Sequence, residues 1–162
     1  MKKRMAIALT ALLLSGCGAE TVFETVNDEW VQPVSAQVRQ ILITLPQEAA
    51  SPALEAEGDA VYICRQYEVY RQILPAGDLS ATVRAVSGYG TEDLTLLKTL
   101  QDGIKRYDFV WASAADSGDR VGQGCILDDG NYHYVLTVLG DAAEAESCQG
   151  DWQAIFDSFA LD

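Results

Sequence analysis

A single histidine, His133, and two methionines occur among the 162 residues. One histidine leaves no multi-histidine metal centre to expect. The cysteines show no Cys-x-x-Cys spacing, so no zinc pattern is present. Basic residues are scarce: 11 Lys and Arg stand against 24 Asp and Glu, a net charge of −13. Nucleic-acid binding needs clustered Lys and Arg, so it is not expected here. The same balance opposes lying flat on an anionic lipid surface. Phosphate loop, dinucleotide fingerprint and HExxH are all missing. The apolar run Met5 to Leu14, broken only by Thr10, is too short for a membrane span, which needs about 20 apolar residues.

What is there begins with that run. Lys2, Lys3 and Arg4 precede it and Leu14-Ser15-Gly16-Cys17 follows it. A charged start, a short apolar core and small residues before a cut site mark a secretory signal. The segment resembles a bacterial lipoprotein signal peptide with its lipobox. That resemblance implies cleavage before Cys17, acylation of Cys17 and anchoring of the chain outside the cytoplasm, on the cell membrane or on the outer membrane of a two-membrane host. Gly18, where retention at the inner membrane would favour Asp, points away from that membrane. Each buried lipid methylene contributes about 0.8 kcal/mol, so two or three acyl chains make a stable anchor. The expected organisation is a signal peptide over 1–16, a lipidated tether over 17–28 and one domain over 29–162. Without 1–16 the chain keeps 8 basic and 24 acidic side chains, a net of −16. Solubility explains this acidity first, and an acidic docking face for a cationic partner second. Hydrophobic content of 49% argues for a packed core over disorder.

Cys64, Cys125 and Cys148 remain beyond the anchor. Export permits a disulfide. Cys125 and Cys148 enclose a strand running into a helix and are the candidate pair, a bridge contributing about 3 kcal/mol. Cys64 would then be a small buried apolar residue in a strand. The three free thiols are the competing expectation.

Along the chain, Glu29 to Val38 holds an expected short helix near Pro33, and Gln40 to Leu45 a strand ended by Pro46. Gln47 to Gly58 reads as loop. Asp59 to Leu74 reads as one long strand with Val61, Ile63, Tyr67, Val69 and Ile73 on one face. Pro75 to Asp78 is a turn, and Leu79 to Ser87 alternates like the second strand of a hairpin. Leu94 to Leu100 is expected as a strand, because Asp102-Gly103 is a hairpin turn signal. Ile104 to Ser113, Arg120 to Leu127 and Tyr132 to Leu139 follow, separated by Asp- and Gly-containing turns: an antiparallel meander. The period then changes, with Trp152, Ile155, Phe156 and Phe159 on one helix face, and Ser147 or Asp151 as expected cap. The fold class is α+β: an antiparallel sheet of about six strands with a C-terminal helix packed on one face.

The segments Ile41 to Pro46 and Trp152 to Phe159 resemble the entering strand and closing helix of PsbP-like or Mog1-like domains. This resemblance implies a fold and a binding or assembling role. It carries no catalytic residues across.

His133, just after a turn, is expected in a structural or surface role; with Asp128 and Asp129 near it in the chain it is also the one candidate for acid–base work, in an envelope hydrolase. Ser87 lacks the preceding glycine of a nucleophile elbow. The Asp-rich turns at Asp116, Asp119, Asp128 and Asp129 offer oxygen ligands without EF-hand spacing, and Asp in turns serves its own backbone first. No metal or other cofactor is expected. The candidate binding face is Arg65, Arg71, Arg84, Arg106, Tyr107 and Trp111, with Tyr62, Tyr67 and Tyr70 nearby in sequence. Arg and aromatic residues favour stacking and bidentate recognition of an anion. The competing explanation is cross-strand pairing, with Arg stems over aromatic rings. The expected function is a lipid-anchored, non-enzymatic binding module for an envelope protein or a small anionic ligand. The alternatives are the His133 hydrolase and a structural envelope protein that binds another membrane component.

Overall fold

The computed structural model describes residues 37–115 and 118–162. Among the described residues, nine strands, one 3-10 turn (Gln47–Ala49) and two α-helices follow in order. β1 (Ile41–Leu42) pairs with β9 (Ala160–Leu161), so the two ends of the described chain form their own antiparallel ladder. β2 (Leu54–Ala56), β3 (Asp59–Ile63), β4 (Tyr67–Pro75), β5 (Leu97–Gln101), β6 (Ile104–Ala115), β7 (Gly118–Asp128) and β8 (Tyr132–Asp141) form one antiparallel sheet. Its spatial order is β2-β3-β4-β8-β7-β6-β5. The expected α+β class is thus the observed one, with seven strands in the main sheet.

The meander β5 to β8 stands where the turn residues put it. Asp102 and Gly103 adopt φ of 51° and 82°, the left-handed pair that a two-residue hairpin needs. Helix α2 (Ala145–Ser158) lays Trp152, Ile155 and Phe156 on the sheet, with Phe159 buried just past its end. Its N-terminal position is Glu144, which makes no side-chain cap bond; neither Ser147 nor Asp151 caps it. With Tyr67, Val69, Cys125, Leu127, Tyr134, Leu136 and Val138 these side chains form the larger core.

Three sequence expectations are corrected. Leu79–Ser87 is helix α1, the cover of the opposite sheet face, where a hairpin strand was expected. Asp78 caps it by accepting from the Ser80 N–H at 3.1 Å, and Gly88 closes it in the left-handed region at φ 82°. Leu79, Val83 and Val86 fall at helical spacing and pack on Ile126, Val135 and Phe109, while Ala81 and Ala85 face solvent. Second, Asp59 to Leu74 is two strands. The chain reverses at Cys64, whose N–H donates to the Tyr67 carbonyl at 2.9 Å. Tyr62 therefore pairs with Val69. Ile63 is 53% exposed whereas Tyr67 is buried, so the supposed common face is broken at the turn. Third, Gln47 to Gly58 is not all loop: β2 pairs with β3 through a turn in which Glu57 and Gly58 have φ of 50° and 96°. The expected helix over Glu29 to Val38 lies almost wholly outside the described residues, as do Cys17, the signal peptide and the tether.

Candidate functional site

The candidate binding face is not one surface. Strand register sends Arg71 and Arg106 to the α2 side of the sheet, and Tyr107 and Trp111 to the α1 side. Arg65 sits in the exposed β3–β4 turn, and Arg84 lies on α1, paired with Glu92 at 2.8 Å. Trp111 is core: its ring stacks on Phe109 at 5.6 Å, and the two rings lie over Gly122 and Gly124. Tyr107 lies under Lys98, whose Nζ is 5.9 Å from the ring centre.

Of the two arginines on the α2 side, Arg106 is spent. Its Nε and Nη2 donate to Asp108 at 2.9 Å, its Nη1 to Gln101 Oε1 at 2.9 Å, and its Nη2 also to the Phe156 carbonyl at 3.3 Å. The hydrogen bonds to Asp108 hold its guanidinium above the ordinary value.

Arg71 is arranged differently. Ala60 stands between Glu55 and Arg71 in one cross-strand row. Because that side chain is a single methyl, the guanidinium can lie across it and donate from Nη2 to Glu55 Oε1 at 3.0 Å. Arg71 Nε is buried and has no partner among the described residues. A buried N–H without an acceptor costs about 1–3 kcal/mol. Arg71 lines a cavity of about 370 Å³, with Tyr62 beside it, residues 40–45 along its wall and Ser158 at its end. That wall is fixed: the Thr44 N–H donates to Ser158 Oγ at 2.8 Å, and Ser158 Oγ donates to the Ile155 carbonyl. Arg39 pins the same segment by donating to main-chain oxygens of Leu161 and Asp162. Glu55 is mostly exposed, and its ion pair with Arg71 is made through Nη2.

His133 is 2% exposed and its Nδ1 is hydrogen-bonded to Thr82 Oγ1 of α1 at 2.7 Å. Burial lowers its pKa, with Asp128 and Asp129 acting in the opposite sense. The ring thus lies enclosed between the sheet and α1. Asp128 and Asp129 accept from the N–H groups of Gly130, Asn131 and Tyr132 at 2.8 Å, so they organise their own turn. Among the described residues no group of acidic, His or Cys side chains could hold a metal ion. Ser87 ends α1 and donates back to the Val83 carbonyl at 2.8 Å.

The candidate Cys125–Cys148 bridge is not formed here. Cys64, Cys125 and Cys148 are free, buried thiols. Cys125 lies beside Arg106 and Asp108, with its pKa pushed up by burial. Cys148 Sγ instead contacts Gln66 Oε1 at 3.3 Å.

Tyr62 and Arg71 belonged to the residues singled out in the sequence. Glu55, Thr44 and Ser158 did not, and the last joins the site across 114 positions of chain. No family model matches the chain, and no curated protein does. Among solved structures the chain is similar to PA94, a protein of unknown function from Pseudomonas aeruginosa, at 14% identity and a TM-score of 0.48, over 79% of this chain and 87% of that one. It is also similar to the solution structure of cyanobacterial PsbP (CyanoP) from Synechocystis, at 11% identity and a TM-score of 0.49, over 76% of this chain and 82% of that one. Neither likeness carries an inference about family, ligand or activity.

Proposed function

We propose that this protein is a lipid-anchored envelope module that binds a small carboxylate-bearing or other anionic ligand without chemical turnover. The observation that carries the reading is Arg71: a half-buried arginine, among the residues lining a cavity walled by residues 40–45, whose buried Nε–H has no partner among the described residues. A carboxylate oxygen supplies the missing acceptor, and Glu55 can swing into water to yield the second one. The surrounding acidity makes such a site selective, because only a ligand that reaches the guanidinium escapes the repulsion of the surface. The anchor rests on the Leu14-Ser15-Gly16-Cys17 motif. No helix among the described residues is long and apolar enough to cross a membrane.

Two experiments test the halves separately. Expressed in a bacterium fed labelled palmitate, the chain should take up label and fractionate with membranes, and Cys17→Ser should abolish both. Equal labelling of the variant would refute the anchor. Calorimetric titration with glutarate should show binding that the Arg71→Gln variant loses, while neutral glutaramide binds neither protein.

A further inference from the structure

The first half of α2 is seated on the turn between β3 and β4. Trp152 meets the Tyr67 ring edge-on at 6.0 Å. A Cβ on Gly140 would stand 3.0 Å from Trp152 and 3.2 Å from the Gln66 carbonyl, so the glycine is what lets helix and turn come together. One helical turn before Trp152, Cys148 Sγ reaches Gln66 Oε1 at 3.3 Å, and Gln66 Nε2 donates to Glu144 Oε2 at 2.8 Å. Cys64 is two residues from Gln66 in that turn and belongs to the same buried core as Cys148. We infer that Cys64 and Cys148 are the chain's disulfide-forming pair, clamping the start of α2 to the β3–β4 turn. Cys125 is excluded by position. Its register partner Leu136 and Tyr67's partner Gly140 stand four residues apart on β8, about 13 Å along the strand. Electrostatic coupling between the Cys64 and Cys148 thiols agrees with their proximity, and the Tyr67 hydroxyl lies beside Cys64.

The oxidant is a disulfide donor, such as oxidised glutathione or an oxidoreductase of the envelope. Cys64 is buried but belongs to the turn that lines a cleft with Arg65 and Arg120, and we assign it as the thiol that meets the donor first. Its thiolate attacks a donor sulfur and expels one donor thiolate. Cys148 then attacks the Cys64 sulfur of the mixed disulfide and expels the second donor thiol. Two protein thiols lose two protons and two electrons, and the donor disulfide becomes two thiols.

The test is refolding of the full chain from urea in a glutathione redox buffer, followed by alkylation, digestion and mass spectrometry. The expected product is a linked peptide pair carrying Cys64 and Cys148, with Cys125 alkylated only after denaturation. Oxidation should raise the urea midpoint of the wild type and reductant should reverse the rise, while the midpoint of Cys64→Ser should respond to neither. Recovery of Cys64 and Cys148 as alkylated thiols, or of Cys148 linked to Cys125 or Cys17, overturns the assignment. Neither result depends on whether Arg71 binds an anion.

Discussion

His133 Nδ1 and Thr82 Oγ1 stand 2.7 Å apart in the buried seam between the sheet and α1. The sequence marks His133 as the one side chain suited to acid–base chemistry, and the fold uses it as a fastener. Burial holds its folded pKa below the ordinary 6.5. Above that value the ring is neutral in both states and its contribution to stability is constant. As pH falls below 6.5 the unfolded chain takes up the proton first, so stability is lost with each step of acidification through the folded pKa. The urea midpoint should therefore fall more steeply from pH 7 to pH 5 in the wild type than in His133→Gln. Parallel curves for the two proteins would contradict this role.

Gly122 is required by Trp111. A Cβ there would come within 2.3 Å of the indole, which is itself stacked on Phe109. Gly122→Ala should displace the ring and cost about 1–3 kcal/mol by overpacking. Chemical denaturation reads this directly. Gly130→Ala tests a different term, since open space surrounds its Cβ and only the φ of 92° opposes the substitution.

Asp78 starts α1 by accepting from the Ser80 N–H. Asp78→Ala removes that acceptor and should lower stability by about 1 kcal/mol, while Asp78→Asn or Asp78→Ser retains most of it. Equal losses in all three variants would count against the cap.

Much of the fold is legible in the sequence, and the reasons are local. Asp102-Gly103 defines a hairpin by the left-handed backbone that Gly supplies and Asp tolerates. Trp152, Ile155 and Phe156 define α2 by period alone, and all three are buried. Leu79–Ser87 misleads because Ala81 and Ala85 suit either period; Asp78 and Gly88, a cap at each end, are the signals that settle it. The pairing of β4 with β8 has no local signature, since Tyr67 meets Gly140 only after α1 and the whole meander are placed. The site shares this division. Arg71 is visible as an arginine in a strand of an acidic protein. Its value as a site depends on Ala60 beneath its guanidinium and on residues 40–45 beside it, which β9 brings there from the chain's far end.

The proposed function rests on the Arg71 Nε–H, a buried donor without a partner among the described residues, taking an anion as its acceptor. The decisive measurement is the Arg71 Nε–H resonance in a proton–nitrogen NMR spectrum, followed during addition of acetate, glutarate and phosphate to about 10 mM, an affinity range near −3 to −4 kcal/mol. The account predicts a saturable downfield shift of that resonance with at least one anion, with Tyr62 and Thr44 amides moving alongside it. The Arg106 resonance should stay still, because its donors are already occupied. An Arg71 Nε–H that ignores all three anions, or that moves equally with neutral glutaramide, would contradict it.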